Sequence, residues 1–167
     1  YSRDIDTLVM GIKARIEVMR MEIVSKGTVT LNENGIHATI SYGVPEEQQV
    51  TNVNWDAADS DPIGDITSWV NKMDTKPARA LTSTTVLAKI LRNANVINAL
   101  FGKNSTRIAT VGELNTYLAS LGLPTITTYD EKYRKQNEDG TYTKLRYLPE
   151  NAFCMLPGYA LGETLYG

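Results

Sequence analysis

Residues 4–41 read DIDTLVMGIKARIEVMRMEIVSKGTVTLNENGIHATIS, and a change of hydrophobic period inside this stretch decides the fold. Ile5, Val9, Ile12, Ile16, Met19 and Ile23 recur at alternating spacings of four and three. Such spacing stacks side chains on one face of a helix. Asp4 suits its start and Gly27 its end. Gly11 costs this helix about 1 kcal/mol relative to alanine, so it predicts a bend or a close contact. Burial of the six side chains is worth on the order of 10 kcal/mol gross, so the helix needs a sheet or second helix to lie on. From Thr28 the period falls to two. Val29 and Leu31 alternate with threonines, and Ile36, Ala38 and Ile40 alternate with His37, Thr39 and Ser41, around the turn Asn32-Glu33-Asn34-Gly35. That pattern predicts a β-hairpin with one apolar face.

Downstream, the punctuation is equally plain. Asp61-Pro62 is a cap followed by proline at the first helical position, ahead of Ile63, Ile66, Trp69, Val70 and Met73. Residues 78–82 read as a buried strand, and Ser83 as the cap of a helix bearing Val86, Leu87, Ile90 and Leu91. Thr110-x-x-Glu113 is a capping box, and Gly122 with Pro124 ends the helix it opens. Residues 125–133 and 141–147 flank Asn137-Glu138-Asp139-Gly140 as a second hairpin, and 152–156 is an apolar last strand. Strands are thus expected near positions 80, 108, 127, 144 and 154, with helices interleaved early, an α+β fold.

Composition narrows the function. The 167 residues carry 17 basic and 19 acidic side chains, a net charge of -2, and 42% hydrophobic residues. The size fits one domain or one domain with an appendage. The charge balance supplies no overall basic face for nonspecific nucleic-acid binding. A single cysteine excludes an intrachain disulfide or a multi-cysteine metal site. No stretch reads as a membrane span or a signal peptide. Opening at Tyr1 directly in a helical pattern, the chain reads as a piece excised from a longer one.

Residue chemistry points away from catalysis. His37, the one histidine, falls on the hairpin face opposite Ile36, Ala38 and Ile40, the place of a solvated strand residue. Cys154 lies in the apolar run 152–156, where a small core residue is expected rather than a thiolate. Asp56, Asp59, Asp61 and Asp65 do not match a calcium loop and suit the electrostatics of a helix start. Gly102-Lys103-Asn104 fails the phosphate-loop pattern, and Gly158 and Gly162 make no dinucleotide fingerprint. Lys132, Arg134, Lys135, Lys144 and Arg146 interleave with tyrosines, as in some single-strand binders. Acidic residues Asp130, Glu131, Glu138, Asp139 and Glu150 interrupt them, which predicts a mixed-charge hairpin. No catalytic, cofactor-binding or metal site is therefore assigned, and the residues favour a structural or interaction role. The alternative is an α+β enzyme or ligand-binding domain centred on His37 or the aspartates.

The order of blocks carries a resemblance. The helix with Arg15, Glu17 and Met19 runs into Gly27 and a hairpin. Trp55, Asp61-Pro62-x-x-Asp65-Ile66, Ala80-Leu81-Thr82, Leu87, Leu91 and Asn93-x-Asn95-Val96 follow. Tyr129-Asp130, Leu148-Pro149-Glu150-Asn151, Leu156-Pro157-Gly158 and the close from Gly162 to Tyr166-Gly167 complete the series. This series resembles the lambda-type major capsid protein family of tailed bacteriophages and prophages, with another phage structural component as the alternative. The resemblance implies the tailed-phage capsid fold. Residues 1–57 would be the long helix and strands of an incomplete peripheral domain, and 58–167 most of an axial α+β domain. It also implies a subunit that assembles with copies of itself, as hexamers and pentamers, into an icosahedral shell enclosing DNA. Other phage head proteins would be partners, and the host cytoplasm the place of assembly, with no cofactor, no specific nucleic-acid site and no membrane. The family's N-terminal arm, extended loop and returning strands have no counterpart here. Val29, Leu31, Ile36 and Ile40 are then expected to be left uncovered, as a subunit contact.

Overall fold

The computed structural model describes residues 2–33, 35–50, 53–160, 163 and 165. The turn residue Asn34 and most of the closing block from Gly162 to Gly167 lie outside the described residues. The chain divides into two units, one of residues 1–45 and 130–150, the other of 46–129 and 151–167. That division differs from 1–57 and 58–167 at two places. The second hairpin goes with the long helix, and 46–57 go with the later part of the chain.

In the first unit, helix α1 (Ser2–Lys26) runs unbroken through Gly11, and a Cβ added there would meet nothing within 4 Å. Gly11 thus marks neither a break nor a close contact. At Gly27 the backbone turns left-handed, with φ 68°, and its N–H donates to Ile23 O. An added Cβ would lie 2.6 Å from Val44 Cγ2, so the position excludes any larger residue on both counts. Strands β1 (Thr28–Glu33) and β2 (Ile36–Ser41) then pair antiparallel, with Glu33 opposite Ile36. The strands reach Glu33 and Ile36, closer to each other than the four-residue turn read from the sequence allows, and Gly35 has φ 78°. Helix α1 packs against β1. Burial along it is uneven. Met21 is buried, Ile16, Met19 and Ile23 are half-buried, and Ile12 is 52% exposed, so the six-residue stripe is covered only in its C-terminal half.

The second unit contains α2 (Pro62–Asn71), β3 (Arg79–Thr82), α3 (Thr84–Arg92), α4 (Ala94–Phe101), α5 (Val111–Ser120), β4 (Thr125–Thr128) and the last strand (Phe153–Leu156). The caps are those the sequence names. Asp61 accepts from Gly64 N, Ser83 Oγ from Val86 N, and Thr110 and Glu113 form the reciprocal capping box. Strand β3 is central, parallel to β4 and antiparallel to the last strand. Ile66, Ala80, Ile90, Val96, Leu114, Leu118 and Ile126 fill the core beneath it. Trp55, Trp69 and Phe153 form an aromatic cluster with ring centroids 5.5–6.1 Å apart.

Three expectations are corrected here. Asn93-x-Asn95-Val96 opens a helix rather than being a bare turn. The Asn93 side chain accepts from Asn95 N and Val96 N, while its amide donates to Ser60 Oγ at 2.8 Å, so one buried residue ends α3 and starts α4. No strand forms at 108, where Ala109 N donates to Leu91 O and the segment stays irregular. Residues 125–133 are not one strand. They break after Thr128, and β5 (Lys132–Gln136) pairs instead with β6 (Tyr142–Arg146) in the first unit. The last strand, Phe153–Leu156, is accordingly β7.

Candidate interaction surfaces

The residues with chemical potential are each occupied structurally. His37 pairs with Asn32 across the hairpin, on the polar face with Thr30 and Thr39, and is exposed. Cys154 stands on β7 opposite Leu81, and burial pushes its thiol up to about 11. A neutral thiol at ordinary pH is a packing group, not a nucleophile. The aspartates disperse: Asp56 pairs with Lys89 at 2.8 Å, Asp61 caps α2, and Asp65 accepts from Trp55 Nε1 at 2.8 Å. Among the described residues no group of three or more His, Cys, Asp or Glu could hold a metal ion. Gly102, with φ 96°, closes α4, and Asn104 follows with φ 66°, so this segment is a helix end rather than a phosphate cradle.

What the molecule offers instead is surface. The first half of α1 exposes Ile5, Leu8, Val9, Met10 and Ile12, of which Ile5, Leu8, Val9 and Ile12 follow helical spacing along one side. On the hairpin, the register puts Val29 opposite Ile40 and Leu31 opposite Ala38, with Ile36 on the same face. Val29 is buried and Leu31 half-buried, whereas Ile36 is 60% and Ile40 45% exposed. The four residues named for a subunit contact thus share one face, and its open half belongs to β2. Every residue of β2 is exposed, so its outer backbone edge faces solvent. Exposed edges of this kind are templates for another chain.

The second hairpin shows what the sequence hid. Pairing sets Lys132 opposite Arg146, Arg134 opposite Lys144 and Gln136 opposite Tyr142, all on one face. The other face carries Tyr133 and Leu145, both half-buried, and the exposed pair Lys135 and Thr143, with the Tyr133 ring 4.9 Å from that of Tyr147. Burial first, and the Glu17 carboxylate second, push the Tyr147 phenol up. None of the five acidic residues lies within a strand. Asp130 and Glu131 precede β5, Glu138 and Asp139 sit in the loop, and Glu150 follows β6. The expected mixed-charge hairpin is therefore segregated, with four of the five cations on one open face, Lys135 on the other, and acids at the ends. No linear signal gives this. It follows from the register, which depends on a five-residue loop closed by Asn137 N donating to Thr141 O.

Open apolar stripes and a ribbon with a cationic face are surfaces suited to contact with another molecule. The sequence matches the family described as phage major capsid protein E over residues 1–167, and the chain belongs to that family. This agrees with the lambda-type capsid resemblance read from the blocks. No curated protein matches the chain. Among solved structures, one described as a capsid protein of an E. coli CFT073 prophage aligns with TM-score 0.58 at 18% identity, covering 87% of this chain and 44% of that one. At that identity the likeness is one of fold. The chain spans less than half the length of that neighbour.

Proposed function

We propose that the chain forms the contact-bearing part of a capsid subunit that assembles with copies of itself into hexamers and pentamers of an icosahedral shell around DNA. The family is that of a structural protein, which supports a non-enzymatic role. The observation that carries the assembly reading is the uncovered apolar surface of the first unit, on α1 from Ile5 to Ile12 and on β2 at Ile36 and Ile40. Large contiguous apolar surface on one chain marks a place where another chain sits. Shells are built from heterologous contacts that close about rotation axes, and a solvent-facing strand edge beside an apolar stripe suits such a contact. In this reading the first unit takes the peripheral role and the second, with its three-stranded sheet and four helices, the axial role. Ile36 and Ile40 make the neighbouring contact, and Val29 supports them from within. Assembly proceeds in the host cytoplasm with other head proteins.

Electron microscopy of the complete gene product tests this. Uniform shells or six-fold and five-fold rings are expected, and Ile36→Asp with Ile40→Asp should abolish them while the second unit keeps its tryptophan fluorescence. A strictly monomeric gene product at high concentration would refute the assembly reading.

A further inference from the structure

We infer that the outward face of the β5–β6 ribbon binds the phosphate backbone of a single nucleic-acid strand, without reading its sequence. The face holds Lys132, Arg134, Lys144 and Arg146 and no acidic residue. Arg146 is partly engaged, by Asp130 at 2.7 Å and by Leu148 O. Lys132, Arg134 and Lys144 are exposed, and among the described residues none of the three pairs with a carboxylate. Arg134 and Lys144 are direct cross-strand partners, an arrangement that is unfavourable in the isolated sheet. An anion laid over both relieves it. Side chains on one face repeat every second residue, about 6.7 Å along a strand, with partner strands about 5 Å apart. The four cations therefore form two rows, each about 7 Å long, and Gln136 and Tyr142 carry the same face one repeat further, so that it runs along the strands as a linear polyanion would. The overall net charge of -2 conceals this local density.

An acidic peptide would satisfy the cations equally. The side chain that selects nucleic acid is Tyr142. It sits on the same face, opposite Gln136, and is 63% exposed although tyrosine rings favour burial. An open aromatic ring at the end of a basic track is the pairing by which proteins hold unpaired bases, the ring stacking while the cations follow the backbone. The inference goes beyond the capsid reading and does not depend on it, because shell formation and strand binding are measured separately.

Fluorescence anisotropy of the 167-residue chain with a labelled 20-nucleotide deoxythymidine strand tests the site. Three to four phosphate contacts predict a slope of log K against log salt near -0.7 per contact, a loss of about 20- to 50-fold between 50 and 200 mM. The variant Lys132→Gln, Arg134→Gln, Lys144→Gln should lose that binding and flatten the slope. It should still fold, because it removes a like-charge opposition. Exchanging Lys13, Lys26 and Lys103 for glutamine should change neither affinity nor slope. Tyr142→Ala should weaken strand binding about fivefold or more with the slope kept, and should leave binding to a duplex of equal length unchanged. Absence of binding at 50 mM salt, or binding indifferent to the triple variant, overturns the site. Binding indifferent to Tyr142→Ala, with polyglutamate competing as well as DNA, overturns the assignment to nucleic acid in favour of an acidic protein partner.

Discussion

Asn115 of α5 stands where a fourth strand would run beside β4. Its Oδ1 accepts from Ile126 N at 2.8 Å and its Nδ2 donates to Ile126 O at 3.0 Å. One side chain thus closes the open edge of the three-stranded sheet at the most buried residue of β4, Ile126 being 2% exposed. Asn115→Ala removes both bonds and leaves a backbone donor and acceptor without protein partners. At about 1 kcal/mol net per bond, with a further penalty because the groups are only partly reachable by water, the loss should be about 2–3 kcal/mol. With an m-value of about 1.5 kcal/mol/M, the urea midpoint falls by about 1–2 M. Trp55 and Trp69, the two tryptophans, both belong to the second unit, so fluorescence follows the transition of that unit alone. Asn115→Asp sharpens the test. At pH 7 the carboxylate still accepts from Ile126 N but sets an oxygen against Ile126 O, so it should be no better than alanine. Below about pH 4 the protonated acid regains a donor, and the Asp variant should become more stable than the Ala variant under the same conditions. A loss under 0.5 kcal/mol for Asn115→Ala, with unchanged m-value, would refute the view that this side chain substitutes for a strand.

Three further outcomes follow from particular residues. Gly11→Ala should raise the thermal stability of the first unit, by up to about 1 kcal/mol, because the position is helical and a Cβ meets open space; circular dichroism at 222 nm checks it, and a decrease would mean that α1 is covered at Gly11 in solution. Cys154, with its thiol raised from 9.0 to about 11, stabilises fully below pH 9 and loses that contribution as pH rises toward 11, when only the unfolded chain gains by ionising. The stability difference between the chain and its Cys154→Ser variant, measured by urea unfolding from pH 8 to 11, should therefore shrink across that window, and a flat difference would contradict the burial. In hydrogen exchange, amides of β2 should exchange well before those of β3, since β2 belongs to an exposed two-stranded hairpin and β3 is the central strand of a packed sheet; equal protection would show β2 covered in the free chain.

The punctuation of the fold was legible because it is written in short-range chemistry. Asp61, Ser83, Thr110 with Glu113, Gly27 and Gly122 each act on backbone groups within four residues, so their meaning survives without knowledge of the rest of the chain. Asn93 was half legible. Its preference for a turn is local, but its choice to start α4 depends on Ser60, thirty-three residues away, which receives its amide hydrogen. The expected strand at 108 failed for the converse reason. Ile108 is 52% exposed and, among the described residues, the backbone bond from Ala109 to Leu91 is what ties that segment, so β-branched character found no sheet to join.

The contact surfaces divide the same way. Periodicity named the stripe on α1 and the apolar face of the first hairpin correctly as patterns, yet a pattern does not say which of its members is covered. Met21, outside the stripe as read, is the most buried residue of the helix, while Ile5, Val9 and Ile12 face solvent. Ordinary amphipathic reasoning assumes that every apolar face finds a partner in its own chain. The proposed assembly departs from that assumption, and in that proposal the residues at which it fails are those a neighbour would cover. The charged hairpin needed one more step, since alternating Lys, Tyr and Arg can mix or segregate their charges. Only the register decides between the two, and by setting Lys132 opposite Arg146 and Arg134 opposite Lys144 it places like charges together where chain stability alone would have kept them apart. A sheet that holds such an opposition on an open face is arranged for an anionic partner outside the chain.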